Sequence, residues 1–155
     1  MKTSASAQPA SSAPSVDVDR AWSLVFAAWI VATSSTLSAL FFSEVMNLPP
    51  CVLCWYQRIC MFPLVVLLAL GLSPFDPRIV RYSLPLSLIG WSIAAFHVLL
   101  TLGIIPEDIK PCVQGVPCAQ NPIEWFGFLS IPMLSLAAFS LIVALLFTAR
   151  RRINI

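Results

Sequence analysis

Two cysteines and an arginine stand close together in the segment "PPCVLCWYQR" at residues 49–58. Cys51 and Cys54 have two residues between them, a spacing typical of dithiols that form and exchange disulfides. If a helix begins near Cys51, both sulfurs lie in its first turn, where unpaired amide groups and the helix dipole favour a thiolate. Arg58 follows Cys54 by four residues and therefore lies on the same face, one turn further along. The segment indicates thiol chemistry, with Arg58 as a cation that favours a thiolate at Cys54.

A second cysteine pair lies further along, in the segment "PCVQGVPC". Cys112 and Cys118 enclose five residues that include a glycine and a proline, which suits a small turn closed by a disulfide. One alternative is a static disulfide that only fixes the loop. Another is a structural zinc site shared with Cys51 and Cys54, for which the gap in the second pair is poorly suited. The fifth cysteine, Cys60, lies in an apolar run and is expected to be inert packing.

The composition predicts that membrane-spanning helices carry these residues. The chain has 155 residues, of which 59% are hydrophobic and 10% charged, and its mean hydropathy is +0.88. Soluble domains carry about 25% charged residues, so this chain cannot cover a water-facing surface. The net charge of +2 is too small to indicate a nucleic-acid partner. The sequence therefore predicts an integral membrane protein of one compact domain.

Four long apolar runs define the expected spans. A helix needs about 20 residues to cross the hydrocarbon core, and it satisfies its backbone hydrogen bonds internally there. We predict an all-α, four-helix membrane bundle over residues 20–152. Residues 1–19, rich in Ser, Ala and Pro, are expected to form a disordered cytoplasmic tail, and "SPFDPR" is expected to be a tight turn. The predicted spans are residues 21–42, 55–72, 82–105 and 125–149.

The cations predict the orientation of the bundle, because cytoplasmic loops carry an excess of Lys and Arg. Every cation except Arg58 and Lys110 lies before the first span, between the second and third, or after the fourth. This places both termini in the cytoplasm and the loops at residues 43–54 and 106–124 outside. All four loop cysteines then lie on the side where disulfides persist.

These motifs together resemble a known family. The block "CVLCWYQR", the acidic residue Glu44, the four spans and the second cysteine pair followed by "EWFGFLSIP" are similar to the disulfide bond formation protein B family, in its compact BdbC-like branch. The resemblance covers about residues 22–150. It implies an enzyme of the bacterial cytoplasmic membrane that reoxidises a thioredoxin-fold dithiol oxidase and passes the electrons to ubiquinone or menaquinone. It would thereby drive disulfide formation in exported proteins.

The resemblance also implies roles for the cysteines and for Arg58. Cys112 would be attacked by a thiolate of the partner, and Cys118 would resolve or relay the resulting mixed disulfide. The Cys51–Cys54 disulfide would reoxidise this outer pair. Cys54 would face the quinone ring, and Arg58 would stabilise negative charge that develops there. The alternative for Arg58 is an anchor that sets topology or binds lipid phosphate.

His97, the only histidine, lies within the third span. It is expected to donate to a quinone oxygen or to carry a proton; alternatively, it only bonds a neighbouring helix. No tightly bound metal is required, because thiol exchange and quinone reduction can proceed through cysteine. Two other functions compete with the oxidase: a quinone-linked reductase of similar layout, and a non-enzymatic membrane scaffold with structural disulfides. A scaffold does not need a close cysteine pair beside an arginine within the membrane.

Overall fold

Four helices make up the described part of the protein. The structure is a computed structural model and describes residues 13–104 and 130–153. Within these residues every helix is long and apolar enough to cross a membrane, which confirms the all-α, four-span fold. Helix α1 spans Ala13–Leu40 and continues as a π-helical segment at Phe41–Val45, α2 spans Val52–Leu72, α3 spans Arg78–Thr101 and α4 spans Ile131–Ile153.

The first helix begins earlier than the sequence predicts. Residues 13–19, assigned above to a disordered tail, belong to α1. Pro14 lies in the first helical turn, where the missing N–H of proline costs no helical hydrogen bond. A composition rich in Ser and Pro therefore does not exclude a helix start at this position. The predicted starts of the second and third spans were also displaced: α2 begins at Val52 rather than at residue 55, and α3 begins at Arg78 rather than at residue 82. The predicted start of the fourth span, at residue 125, lies outside the described residues.

The helices pack in a closed ring. Each contacts its neighbours in chain order, and α4 closes the ring against α1. Gly90 lets α3 approach α4 closely, because a Cβ atom there would clash with the ring of Phe139. In a membrane such packing stabilises a bundle chiefly by van der Waals contact, since lipid is as apolar as the helices. The fully buried core side chains include Val25, Ala28, Leu64, Leu68, Phe139, Ile142 and Leu146.

The connections set where each helix begins. The predicted tight turn lies between α2 and α3, and Asp76 Oδ1 accepts a hydrogen bond of 2.9 Å from the Arg78 N–H at the start of α3. After the π-helical segment, Asn47 adopts φ 52°, in the left-handed region that asparagine tolerates. The chain then runs through Pro49 and Pro50 to α2. The second cysteine loop, with Cys112 and Cys118, lies outside the described residues.

Impermeant maleimide applied to intact cells should test the orientation predicted from the cations. In reduced protein, Cys112 and Cys118 should be labelled from outside, whereas a cysteine introduced by Asp76→Cys should be protected. Both positions should be labelled after detergent treatment, which controls for intrinsic reactivity. Labelling at position 76 in intact cells would reverse the orientation and place the cysteine loops in a reducing compartment.

Candidate functional site

The first cysteine pair lies at the start of α2. Cys51 is the N-cap residue, with φ −69° and ψ 169°, and its Sγ accepts a 3.3 Å hydrogen bond from the Cys54 backbone N–H. The helix begins here because a cap side chain satisfies one of the amide groups that the first turn leaves unpaired. The two thiols are free, and their sulfurs lie 2.8 Å apart. The helix begins at Val52 with both sulfurs in its first turn, which is the condition on which the expected thiol chemistry depended, although the predicted second span began at residue 55.

His97 lies beside this pair. It is only 2% exposed, and its Nε2 atom lies 3.8 Å from the Sγ atom of Cys51. The packing of α3 against α2 produces this contact between residues distant in sequence. His97 therefore contacts the start of a neighbouring helix, and the group that it meets there is the free thiol of Cys51.

Gln57 and Ser135 extend this contact across the bundle, and sequence reasoning missed both. Gln57 is 8% exposed; its Nε2 donates to His97 Nδ1 over 3.2 Å, and its Oε1 accepts from the Ser135 hydroxyl over 2.6 Å. With Nδ1 accepting, the proton of the neutral imidazole resides on Nε2 and points toward Cys51. A hydrogen-bonded chain from α4 through α2 to α3 thus orients the histidine. An uncharged polar residue one turn after Cys54 was the only sequence signal for Gln57, and Ser135 gave none.

The donors around the pair converge on Cys51. The pKa of Cys51 lies well below its ordinary value, chiefly because the Cys54 thiol donates to it. Hydrogen bonds from His97 and from the Cys54 N–H act in the same direction, whereas burial opposes them. The sequence argument favoured a thiolate at Cys54. The cap position instead makes Cys51 the acceptor, and Cys54 lies where its thiol can donate.

Arg58 lies between α1 and α2. Its Nη2 atom donates to the Ala39 carbonyl over 2.7 Å, its Nη1 donates to the Ser43 hydroxyl over 3.3 Å, and its Cζ atom lies 5.5 Å from the centroid of the Trp55 ring. Ser43 belongs to the π-helical segment, a type of irregularity that often occurs at functional sites. These contacts hold a positive charge at a fixed position near the cysteine pair.

A cavity of about 460 Å³ opens beside these residues. Its volume falls within the range of about 300–1,000 Å³ that is typical of small-molecule sites. Apolar side chains, among them Phe42, Met61 and Phe62, form much of its wall, and α1 adds the hydroxyl-bearing residues Ser34, Ser35, Thr36 and Ser38. The candidate site residues that line the cavity are Cys51, Cys54, Gln57, Arg58, His97 and Ser135.

The remaining cysteines do not belong to the described cluster. Cys60 is 6% exposed and packs in the apolar core with Met61 and Leu64, as expected for an inert side chain. Cys112 and Cys118 lie outside the described residues, so their placement relative to Cys51 stays a prediction.

Gln57→Leu should raise the pKa of Cys51 by about one unit, because the His97 proton is then no longer fixed on Nε2. A hydrogen bond to a charged group contributes about 1.5–3 kcal/mol, and one pKa unit corresponds to about 1.4 kcal/mol. A thiolate exists above its pKa, so alkylation of reduced Cys51 should require a higher pH in the variant. The measurement is the alkylation rate of Cys51 against pH. Ser92→Ala is the control, because among the described residues the Ser92 hydroxyl bonds its own helix, at the Leu88 carbonyl. Coincident profiles for wild type and Gln57→Leu would show that Gln57 does not act on the thiol.

Comparisons with known proteins agree with this geometry. The family model "Disulfide bond formation protein DsbB" matches residues 19–149. A "Probable disulfide formation protein" of Metapseudomonas resinovorans is 48% identical over 132 residues, covering 84% of this chain and 92% of that protein. "Disulfide bond formation protein C" of Bacillus subtilis (strain 168) is 46% identical over 119 residues, covering 77% and 86%. No solved structure matches the chain significantly.

Proposed function

The chain belongs to the disulfide bond formation protein DsbB family, and from that premise we propose that it oxidises a thioredoxin-fold dithiol protein at the expense of a membrane quinone. Membership in this family directly supports the general function: the chain is a multi-pass membrane protein that acts in disulfide-bond formation. The proposal adds four points: the quinone, the partner, the relay between two cysteine pairs, and the bacterial cytoplasmic membrane as the location.

One observation carries the proposal. Two free thiols 2.8 Å apart open on a cavity that lies among membrane-spanning helices and also contacts Arg58 and His97. A disulfide bond is about 2.05 Å long, so a sulfur movement of less than about 1 Å closes it. The wall suits a flat apolar ring with polar edges, since aromatic and aliphatic side chains alternate there with hydroxyl groups and a guanidinium. A quinone bound at this place would accept two electrons and two protons.

The residues of the chain then have distinct tasks. Forming the Cys51–Cys54 disulfide from two thiols removes two electrons and two protons, the number that a quinone takes up on reduction; when Cys51 is a thiolate, one of these protons has already been released. His97 holds a donor against Cys51, and the described hydrogen bonds of Gln57 keep it there. Arg58 provides positive charge at the cavity, where a fixed cation stabilises developing negative charge without reorganisation.

The outer pair would connect this site to the partner. A thiolate of the partner attacks the Cys112–Cys118 disulfide at Cys112, which forms a mixed disulfide and releases the Cys118 thiolate. The second thiol of the partner then displaces Cys112, so that the partner leaves oxidised and the outer pair is reduced. Exchange with the Cys51–Cys54 disulfide reoxidises the outer pair and transfers the two electrons to the inner pair.

Turnover by the purified protein in lipid tests this function. Reduced thioredoxin-fold dithiol and quinone should be consumed in equal amounts, with two partner thiols lost for each quinone reduced. The competing reductase would instead reduce the oxidised partner when hydroquinone is supplied, at a rate exceeding the forward one. A scaffold would support neither reaction.

A further inference from the structure

Three soft ligand atoms meet at the start of α2. The Sγ atoms of Cys51 and Cys54 and a ring nitrogen of His97 all lie within 4.8 Å of one another. Thiolate and imidazole are the preferred ligands of Zn²⁺ and of other d¹⁰ cations. We propose that the reduced protein binds one such cation through Cys51, Cys54 and His97, and that this cation competes with oxidation of the pair.

The distances are close to those of a tetrahedral zinc site. With bonds of about 2.3 Å to sulfur and about 2.0–2.1 Å to nitrogen, tetrahedral angles place two sulfurs ~3.8 Å apart and sulfur ~3.6 Å from nitrogen. The observed separation of Cys51 Sγ from His97 Nε2 is 3.8 Å. The sulfurs, now 2.8 Å apart, must separate by about 1 Å. Rotation about the Cα–Cβ bond of Cys54 can provide this movement, since Cys54 is only partly buried and borders the cavity.

Gln57 can support the histidine as a ligand. A metal-bound imidazole usually donates its other N–H to an acceptor, which fixes the ring. Turning the Gln57 amide by half a rotation presents Oε1 to His97 Nδ1 and the amide N–H to Ser135. Ser135 can then accept, because a hydroxyl both donates and accepts. The proton moves to Nδ1, Nε2 becomes free to ligate, and none of the described partners is lost.

Binding and disulfide formation exclude each other. The cation replaces the protons of the two thiols, and no electron is transferred. A disulfide offers no thiolate, so the oxidised protein cannot form this site. The cavity leaves the fourth position open to water, as in zinc sites with three protein ligands. The site rests on the geometry of the three residues; only its inhibitory effect on turnover rests on the proposed function.

Cd²⁺ is a suitable probe, because its bonds to thiolate give a charge-transfer absorption in the ultraviolet. The full chain should carry Cys60→Ala, Cys112→Ser and Cys118→Ser, so that only the inner pair can respond. After reduction it should bind one Cd²⁺ per chain, and Zn²⁺ should displace the Cd²⁺. The oxidised form of the same protein should bind none. Loss of a supporting residue around a metal costs about 10–100-fold in affinity, so His97→Ala, which removes a ligand, should weaken Cd²⁺ binding by more than about tenfold.

The variants separate the possible outcomes. Gln57→Glu should tighten Cd²⁺ binding, because a carboxylate favours the proton on Nδ1. Unchanged affinity in His97→Ala would overturn the three-ligand site and leave a simple dithiol chelate. Absence of Cd²⁺ binding to the reduced protein would overturn the site altogether. If Cd²⁺ binds as described but quinone turnover is absent, the proposed function fails while the cation site stands.

Discussion

Cys118→Ser is expected to abolish oxidation of the dithiol partner, and Cys112→Ser is expected to do the same. In the proposed relay no other route carries electrons from the partner to Cys51 and Cys54, so the loss should be complete rather than partial. Insertion and quinone binding should be preserved, because the described lining of the cavity comes from the four helices and the connection before α2. The measurement is partner oxidation by purified protein, with quinone binding followed separately. Normal turnover in Cys118→Ser would show that the second pair is only a static disulfide.

A trapping experiment identifies which cysteine receives the partner. A single-cysteine partner, activated as a mixed disulfide with a small aromatic thiol, should transfer to Cys112 of the reduced Cys118→Ser protein and release the small thiol. The adduct should accumulate, because no Cys118 thiol remains to displace the partner. In reduced wild type, Cys118 should release it. If the adduct instead accumulates in Cys112→Ser, then Cys118 receives the partner and Cys112 releases it.

Arg58→Ala is expected to weaken quinone use by about one to two powers of ten. Loss of a charge-assisted hydrogen bond costs about 1.5–3 kcal/mol, and about 1.4 kcal/mol corresponds to a factor of ten. Exchange with the partner at Cys112 should be spared, since it occurs in the outer loop before electrons reach the inner pair. The measurement is the dependence of turnover on quinone concentration. Equal quinone dependence in wild type and variant would leave Arg58 as a membrane anchor.

Three matched variants sharpen this prediction. Arg58→Lys should fall between wild type and Arg58→Ala, because an ammonium keeps the charge but loses the planar fork of the guanidinium. Ser43→Ala removes the 3.3 Å contact of Arg58, together with the bonds of that hydroxyl within its own segment, and leaves the charge of Arg58 in place, so its effect on quinone dependence should be small. Arg81 is exposed near the start of α3, at the opposite end of the bundle. Arg81→Ala should therefore leave quinone dependence unchanged.

The sequence predicted those features of the fold that depend on a local pattern of residues. Apolar runs of sufficient length predicted the four spans, because the bilayer imposes a minimum length that few other structures share. The start of α2 was predicted at residue 55, three residues too late, because the apolar run does not show that Cys51 caps the first turn. The start of α1 was predicted too late, because composition does not report that Pro14 is compatible with a first helical turn.

The contacts between helices could not be predicted in the same way. His97 reaches Cys51 only through the relative rotation of α2 and α3, and the 2.6 Å bond from Ser135 to Gln57 joins helices that are not consecutive in the ring. The thiolate was assigned to Cys54 because helical spacing places Arg58 near it. The hydrogen bonds of Arg58 instead reach α1, where the π-helical segment supplies Ser43. No periodic pattern in the sequence "FFSEV" indicates that change of helical geometry.

A single-turnover reaction measures whether the inner pair passes its electrons to a quinone. Protein carrying Cys112→Ser and Cys118→Ser, with Cys51 and Cys54 reduced, is mixed with quinone in the absence of oxygen, and thiols and quinone are counted over time. We expect two thiols to disappear for each quinone reduced, and Arg58→Ala to slow the reaction without changing this ratio. Both thiols surviving beside unreduced quinone would contradict this expectation.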